Sequence, residues 1–334
     1  MIEVVGLKEI ELPQWQALVE ASPVSTWFQT PEAYAFFNSL SFVETFGQAV
    51  KTDGELKALV VGFVQKDGVG LKRLLSRRAV VFGGPLLAKD VTEEALEGLL
   101  LGLKDFLRKK AIYIEFRNFN DYSSWRDCIE KCGFFYEPHY NVQVDTASLD
   151  AVNGHLDRNR RRNIKKALEN AVVIDADPSE ADLKRFYAML ETLYQTKVKT
   201  PLYPYEFFEK LRKVPQGRFF MIKSPEGEML GGLVCVCLEG RTVYAWMACG
   251  DDVGHRELSP SVMANYAGIC HAAENGFPRF DFMGAGKPDD GGYGVRDFKL
   301  KFGGELVEHG RFVSVCKPLL YQIGKLGVKL MKRL

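Results

Sequence analysis

Apolar and polar residues follow two spacings along the chain, which together predict a mixed α/β protein. In the first half, apolar residues at helical spacing predict helices over residues 12–21, 32–40, 92–110 and 124–132. Thr92 is the expected N-cap of the third helix, which is the most regular of them. Short alternating or continuous apolar runs predict strands over residues 55–64, 78–82, 112–116 and 141–145.

The second half repeats this order of elements. Helical spacing predicts helices over residues 181–197, 205–213 and 261–275. Strand patterns cover residues 218–223, 229–238, 242–248, 280–283 and 305–312. Because helices, an antiparallel meander, a helix and two further strands occur twice, we predict two copies of one α/β (α+β) unit. We place the first domain at residues 1–150, the second at 151–312 and a C-terminal segment at 313–334.

Length and composition agree with a two-domain globular protein. The chain has 334 residues, more than one ordinary core needs and suited to two domains of about 150 residues. Apolar residues make up 46% and charged residues 26%, as in soluble proteins. The net charge of +1 gives no global reason for nucleic-acid binding, so such a partner would require a local basic patch.

The cysteines favour a reducing compartment. There are seven, an odd number, and three of them lie in apolar strand-like runs, which indicates buried thiols rather than a disulfide framework. Cys128 and Cys132 are four apart on a predicted helix, but no His or Cys pair completes a ligand set, so we predict no metal. The N-terminus lacks a basic start followed by an apolar stretch, and the apolar runs are shorter than the ~20 residues that span a bilayer. We therefore expect a cytoplasmic protein.

The most informative segment covers residues 278–312. A short strand is followed by five glycines between Gly284 and Gly294, then by the run 298–302 (Phe-Lys-Leu-Lys-Phe) and a Gly-Gly pair. This pattern predicts a backbone brought close to a charged ligand. If 298–302 is a strand, Lys299 and Lys301 share one face; the alternative is an ordinary amphipathic strand with exposed lysines.

Between the two halves lies the densest positive patch in the chain. Six of the nine residues in 158–166 are basic. One interpretation is a solvated helix face at a domain junction. The other is a contact for phosphates, either of a nucleic acid or of a nucleotide-linked substrate.

Several short motifs resemble the Fem family of aminoacyl-tRNA-dependent peptidoglycan transferases. The residues that carry the resemblance are Phe28-Gln29-Thr30, Gly83-Gly84-Pro85, the junction 162–167, Ser259-Pro260, Phe280-Asp281-Phe282-Met283-Gly284, and 298–304. The resemblance implies two tandem GNAT-like acyltransferase domains and a C-terminal helix that packs on the first. The long helical-hairpin insertion of the larger members is missing from 181–213, so the chain is similar to the small type.

The resemblance also implies site residues. The family's Phe-Lys pair is similar to Phe298-Lys299 here, so Lys299 is expected to stabilise the oxyanion and contact the tRNA end, with Phe298 shaping the slot. Asp281 is expected to accept hydrogen bonds from loop amides rather than act as a general base. The other expected substrate contacts are Lys301, Gly284, Gly286, Tyr293, Tyr244, Trp246 and Tyr203. The expected phosphate or tRNA contacts are Arg160, Arg161, Arg162, Lys165 and Lys166.

The expected co-substrate is aminoacyl-tRNA, with no bound cofactor. Coenzyme A is not favoured, because residues 249–259 contain two aspartates and lack the R/Q-x-x-G-x-G/A loop that holds its pyrophosphate. The acceptor is open between nucleotide-linked and lipid-linked peptidoglycan precursors, since the family's phosphate-binding charges are missing at 34–38 and 203–207. Two alternatives remain: an N-acyltransferase acting on a surface sugar, lipid or other amine with a different donor, and a non-catalytic binding protein.

The C-terminal residues 317–334 alternate basic and apolar side chains. As a helix they would be amphipathic and suited to peripheral contact with an anionic membrane, or they would pack on the first domain, as the resemblance implies. The sequence does not fix the oligomeric state.

Overall fold

A computed structural model describes residues 1–65, 76–291 and 294–331. The strands in these ranges are β1 (Ile2–Gly6), β2 (Val43–Thr52), β3 (Glu55–Gln65), β4 (Arg78–Phe82), β5 (Leu86–Leu87), β6 (Tyr113–Arg117), β7 (Phe135–Glu137), β8 (Tyr140–Asp145), β9 (Val173–Asp175), β10 (Gly217–Lys223), β11 (Met229–Leu238), β12 (Thr242–Gly250), β13 (Arg279–Gly284), β14 (Glu305–Glu308) and β15 (Arg311–Val315). The helices are α1 (Leu12–Ala21), α2 (Pro31–Ser39), α3 (Glu93–Leu107), α4 (Arg126–Lys131), α5 (Leu149–His155), α6 (Arg158–Glu169), α7 (Glu180–Leu193), α8 (Tyr205–Leu211), α9 (Pro260–Glu274), α10 (Gly294–Leu300) and α11 (Pro318–Met331).

The first compact unit comprises Met1–His139 and Glu308–Leu334. Its sheet has the order β1-β2-β3-β4-β6-β15-β7, with β5 paired to β3. Strands β1 to β4 form an antiparallel meander, and β6 joins β4 in parallel. Helix α3 provides the crossover between β4 and β6, and five of its six leucines are fully buried, whereas Leu101 is exposed. Thr92 caps it as predicted, its Oγ1 accepting from the Ala95 N–H at 3.3 Å.

The second compact unit comprises Tyr140–Val307. Its sheet has the order β14-β8-β13-β12-β11-β10-β9, so an antiparallel meander is again followed by a parallel strand. Helix α9 is the crossover between β12 and β13, and nine of its fifteen residues are buried. The predicted α/β class and the repeated order of elements are therefore confirmed.

The first unit takes one strand from the distant end of the chain, and the second unit begins with a strand that the sequence assigned to the first domain. Strand β15 lies between β6 and β7 in the first sheet, and β8 lies between β13 and β14 in the second. The unit boundaries consequently fall after His139 and Val307, whereas the sequence placed them at residues 150 and 312. The difference arises because a strand pattern shows that a segment is extended but does not show which sheet it joins.

The sequence predicts one strand over residues 305–312, but the structure has two strands there, β14 and β15. β14 belongs to the second unit and β15 to the first, and they are separated at His309 and Gly310. Gly310 has a φ of +65°, and a Cβ there would lie 2.2 Å from the Tyr136 ring. A glycine is therefore required where the chain changes sheets.

The sequence missed β1 and β2, and also the short strands β5, β7 and β9. Four of the five residues of β1 are exposed, because among the described residues it is an edge strand paired with β2. Strand β2 contains polar residues on both faces and so lacks a clean alternation. Helix α11 belongs to the first unit, where the Tyr321 ring meets the Tyr113 ring at a centroid distance of 5.2 Å. Over the described residues, none of the helices combines the length and apolarity that a bilayer crossing demands.

Candidate functional site

Strands β12 and β13 separate in the middle of the second sheet. Their parallel ladder covers only three pairs and ends at Tyr244 and Asp281. Beyond that point β12 continues along β11 as far as Gly250, whereas β13 continues along β8 with a register shift before Gly284. Because each strand then follows a different neighbour, a cleft opens at the end of the shared ladder.

A β-bulge lies on the β12 side of this cleft. Ala245 pairs with Cys235 and Met247 pairs with Val234, so Trp246 is the extra residue. The half-buried Trp246 ring meets the Phe207 ring edge-on at 4.8 Å. Tyr203 completes this aromatic group, stacked on Phe207 at 4.6 Å and 6.4 Å from Trp246.

Asp281 is fully buried at the end of the ladder. Its Oδ1 accepts from the Met283 N–H at 2.6 Å, and its Oδ2 accepts from Gln143 Nε2 at 2.9 Å. Burial raises the pKa of this carboxyl to about 6, although these hydrogen bonds and the nearby cations Arg279 and Lys299 act in the opposite direction. Asp281 thus accepts a hydrogen bond from a loop amide, which is the geometry that a structural role requires.

Tyr244 lies across the ladder from Asp281 and is also fully buried. Burial, followed by the charge of Asp281, raises the pKa of its hydroxyl well above the ordinary value. Tyr244 therefore stays protonated at neutral pH and cannot serve as a base there.

Lys299 projects toward the same region from helix α10. Its Nζ donates to the carbonyl oxygens of Phe282 at 2.8 Å and Gly284 at 2.7 Å. An ammonium has three N–H groups, so one remains for a ligand, as no third partner is found among the described residues. Burial lowers the pKa of Lys299 to about 8, against the opposing charge of Asp281.

The run 298–302 is not a strand, as the sequence suggested, but helix α10 and the turn that follows it. Lys299 and Lys301 are therefore about 200° apart around the helix axis instead of sharing a face. Lys301 is exposed, and its carbonyl oxygen accepts from the Asp157 N–H at 3.1 Å. Only Lys299 of the two reaches the cleft.

The predicted glycines act mainly through their backbones. Gly284 supplies one of the two carbonyls that hold Lys299. Gly286, with a φ of +83°, has its carbonyl oxygen bonded to the Tyr140 N–H at 2.9 Å. Gly303 makes room for His155 rather than for a ligand, because a Cβ there would lie 2.5 Å from the His155 carbonyl oxygen. Tyr293, also predicted for the site, lies outside the described residues.

The basic patch divides into inward and outward members. Arg160 is buried, whereas Arg161 is exposed but directed toward α5, where its Nη2 donates to the Asn153 carbonyl oxygen at 2.9 Å. The outward-facing members are Arg162, Lys165 and Lys166. The sequence could not separate these groups, because the separation depends on which face of α6 meets the rest of the unit.

The sequence did not predict the hydrogen bonds that two polar residues make near the site. Gln143, on β8, holds Asp281. Asp252 accepts from the Ser261 N–H at 2.9 Å, at the start of helix α9. Neither residue lies in a local motif with its partner, so no sequence signal links the pairs.

One group of possible metal ligands occurs among the described residues. Glu93, Glu97 and Cys128 place their ligand atoms within 4.8 Å of one another. The carboxylates are exposed or half-buried, and burial raises the pKa of the Cys128 thiol to about 12. A protonated thiol is a poor ligand, so the arrangement carries no argument for a metal.

Comparison with known proteins places these features in a familiar fold. Residues 155–299 match the family model described as an acetyltransferase (GNAT) domain. No match to the chain was found among the curated proteins.

Solved structures match both units together. FemX superposes with a TM-score of 0.73 at 16% identity, covering 96% of this chain and 99% of that one. A tandem GNAT protein from the clavulanic acid biosynthesis pathway gives 0.61 at 11% identity, covering 95% and 99%. L-PGS from Bacillus licheniformis gives 0.57 at 14% identity, covering 98% of both chains. Identities this low show the fold, so the tandem GNAT architecture and the structural resemblance to Fem proteins are confirmed.

Proposed function

We propose that the chain is an aminoacyltransferase that moves an amino acid from aminoacyl-tRNA to an amine of a peptidoglycan precursor. The observation that carries this proposal is the Lys299 ammonium, which two carbonyls hold beside the separation of β12 and β13. Its remaining N–H can meet a ligand oxygen, and a fixed donor in partly dehydrated surroundings stabilises developing negative charge better than water does.

The reaction needs little more from the protein than position and charge. An aminoacyl ester is already activated, so a neutral amine can attack its carbonyl carbon directly. The C–N bond forms while the carbonyl electron pair moves to oxygen, and Lys299 donates to that oxyanion. When the carbonyl re-forms, the ester C–O bond breaks, and the departing ribose oxygen takes the proton that the amine loses.

The start of helix α9 supports a donor other than coenzyme A. Pro260 has no N–H, and the Ser261 N–H is bonded to the Asp252 carboxylate. The N–H groups of Val262 and Met263 both donate to the Ser259 carbonyl oxygen, at 2.9 and 3.0 Å. The amides that would hold a pyrophosphate are therefore already bonded, and a like charge stands in front of them.

Close packing at the start of α9 also supports a donor other than coenzyme A. A Cβ on Gly250 would lie 2.4 Å from the Ser261 nitrogen, so the end of β12 packs directly on the first turn of α9. Little room is left there for a diphosphate group.

The outward-facing basic residues of α6 are the proposed tRNA contacts. Arg162, Lys165 and Lys166 are exposed, and Glu169 lies 3.7 Å from the Lys165 Nζ. Contacts of this kind to phosphate are sequence-independent and weaken with salt. The named similarity to FemX and to L-PGS is in keeping with this class of reaction.

A second candidate is an N-acyltransferase with another donor, acting on a sugar, lipid or other amine. The match of residues 155–299 to an acetyltransferase domain favours it, as does the clavulanic acid pathway protein of the same fold. A donor screen separates the two. Purified protein would be offered labelled aminoacyl-tRNAs or acetyl-CoA, each with nucleotide-linked and lipid-linked precursors. We expect turnover with charged tRNA, and turnover with the CoA ester alone would exclude the tRNA reaction.

A further inference from the structure

Arg160 was expected to contact phosphate, but its guanidinium is turned into the second unit. The residue is 5% exposed. Its guanidinium carbon lies 4.4 Å from the Phe298 ring centroid and 4.3 Å from the Phe302 ring centroid. Its Nη2 donates to the Phe298 carbonyl oxygen at 2.9 Å. One side chain thus holds two rings and one backbone oxygen of the segment that carries Lys299.

The rings of Phe298 and Phe302 also contact each other edge to face. Phe298 and Phe302 are four residues apart, and their centroids are 5.5 Å apart at an interplanar angle of 68°. Phe302 is fully buried and also meets Phe282, whose carbonyl holds Lys299. The guanidinium therefore contacts the residue immediately before Lys299 and the residue three positions after it.

Helix α10 depends on such outside contacts. It has seven residues, none of them buried, which is too short to be stable alone. A second tie to α6 comes from the Asp157 N–H, which donates to the Lys301 carbonyl oxygen at 3.1 Å. Arg296 adds a tie to the preceding loop, with its Nε donating to the Ala285 carbonyl oxygen at 2.9 Å.

Only an arginine suits this position. A planar guanidinium can stack on aromatic faces and still donate in its own plane, whereas an ammonium cannot do both. Burial lowers the pKa of Arg160 to about 10, opposed by the charges of Asp252 and Asp157, so the group is ionised at neutral pH. Its Nε has no hydrogen-bond partner among the described residues, as expected for a group held largely by stacking.

We infer that Arg160 is a positioning residue for Lys299 and not a nucleic-acid contact. By fixing Phe298, Phe302 and the Phe298 carbonyl, it sets the place of α10 and so the direction of the Lys299 ammonium. The role of Lys299 in transfer rests on the proposed function, but the placement of Lys299 can be measured without any substrate.

The test is the titration of Lys299 itself. The intact protein would be labelled with acetic anhydride over a range of pH, and the Lys299 peptide would be quantified by mass spectrometry. Wild-type Lys299 should become half-reactive near pH 8, the pKa that its burial gives it. Arg160→Met keeps an apolar stem but frees α10, so the midpoint should rise by about one unit or more toward the ordinary lysine value.

Three further variants complete the design. Arg160→Lys keeps the charge and should not restore the wild-type midpoint. Phe298→Leu removes one ring at a half-buried position and should shift the midpoint in the same direction. Arg185→Met makes the same change at an exposed arginine of α7 and should leave the midpoint unchanged. If Arg160→Met does not fold, Arg160→Lys and Phe298→Leu decide the question.

An unchanged Lys299 midpoint in the Arg160 variants would overturn the inference, whatever their thermal stability. If they also lost affinity for tRNA, a direct nucleic-acid contact would be the better account. The outcome is separate from the proposed function, because labelling needs no donor or acceptor and can succeed when every transfer assay fails.

Discussion

The chemistry of the site begins with two groups of opposite charge, the fully buried Asp281 and the half-buried Lys299. Burial raises the pKa of Asp281 to about 6 and lowers that of Lys299 to about 8. Between these values Asp281 is a carboxylate and Lys299 is an ammonium. Each charge partly offsets the cost of burying the other. At neutral pH Lys299 is therefore charged and can donate a hydrogen bond to a ligand oxygen.

The pH dependence of transfer should report the Lys299 ammonium. Its pKa is lowered from 10.5 to about 8, so the charged donor is lost as pH rises through about 8 rather than above 10. We expect kcat to fall above about pH 8, by up to tenfold per unit where the transfer step limits the rate. The measurement is a pH profile of single-turnover transfer, corrected for spontaneous ester hydrolysis. A rate that keeps rising to pH 10 would contradict the assignment.

The role of Lys299 stays a prediction, and the structure shows its Nζ bonded to two carbonyls and Arg160 turned away from solvent. The Phe-Lys pair is local, so a short motif can reveal it. Arg160 bonds to a carbonyl 138 positions away, and its inward direction depends on how α6 packs against α10. A run of basic residues looks the same whether its members face solvent or the interior, which is why the patch was expected to act as one surface.

At the scale of elements, the site depends on two helix ends. Helix α10 places Lys299, and the start of α9 has its amides already bonded. The sequence could not distinguish α10 from a strand, because phenylalanines at 298 and 302 and a lysine between them fit both a period of two and an i, i+4 spacing. The glycines that follow also suggested a ligand contact. In the structure the space beside Gly303 is filled by His155.

Removing the Asp252 carboxylate should weaken discrimination against diphosphates. Asp252→Ala frees the Ser261 N–H and removes a like charge, so pyrophosphate and acetyl-CoA should bind about tenfold more tightly, the equivalent of about 1.4 kcal/mol. Isothermal titration calorimetry measures this change. Asp251→Ala is the control, because Asp251 accepts from Gly254 within the loop and not from α9. Equal affinity of wild type and both variants would refute the role of Asp252.

The junction after α10 should be intolerant of a side chain. Gly303 has a φ of +82°, and an added Cβ would lie 2.5 Å from the His155 carbonyl oxygen. Gly240 has a φ of +64° with nothing within 4 Å, so it isolates the backbone cost. Gly240→Ala should lower the free energy of unfolding by about 1 kcal/mol. Gly303→Ala should lower the free energy of unfolding by about 1–3 kcal/mol more than Gly240→Ala does, because the added methyl group overpacks the site. Equal urea midpoints for the two variants would contradict this close packing.

At the scale of the whole molecule, the C-terminal segment completes the sheet of the first unit, and the second sheet includes a strand that precedes residue 150. Strand β8 is an interior strand of the second sheet, with Val142 and Val144 fully buried in its core. Strand β15 is an interior strand of the first sheet, with Phe312 fully buried. The first unit is formed by two separate segments of the chain, and the second is continuous but begins at Tyr140 rather than at residue 151.

This arrangement predicts the behaviour of fragments. A fragment of residues 140–307 retains every strand of the second sheet apart from the last residue of β14, whereas one of residues 151–312 lacks β8 and exposes an edge of β13. We expect 140–307 to melt cooperatively and 151–312 to be aggregated or unfolded, because it loses an interior strand and its buried valines. Circular dichroism and light scattering would compare them. Equal melting of the two fragments would contradict the strand assignment.

The sequence predicted the repeated α/β unit and most second-unit strands, and it singled out the Phe-Lys pair, whose role stays a prediction. These features rest on local periodicity or on short motifs, which a single chain displays. It did not predict which sheets β8 and β15 join, the helix that replaces a strand at 298–302 or the bonded start of α9. Each of these depends on which distant segment supplies a partner, as Gln143 does for Asp281 and Asp252 for Ser261.

The most direct test of the account is single-turnover transfer from charged tRNA by wild type and Lys299→Met. Wild type should transfer the labelled amino acid to a peptidoglycan precursor, and acetyl-CoA should not replace the donor. Lys299→Met should be slower by about 100- to 1,000-fold, the usual loss on removing one oxyanion donor. Lys213→Met, an exposed lysine at the end of α8, should match wild type. Full activity of Lys299→Met with a proven donor and acceptor would contradict the central claim.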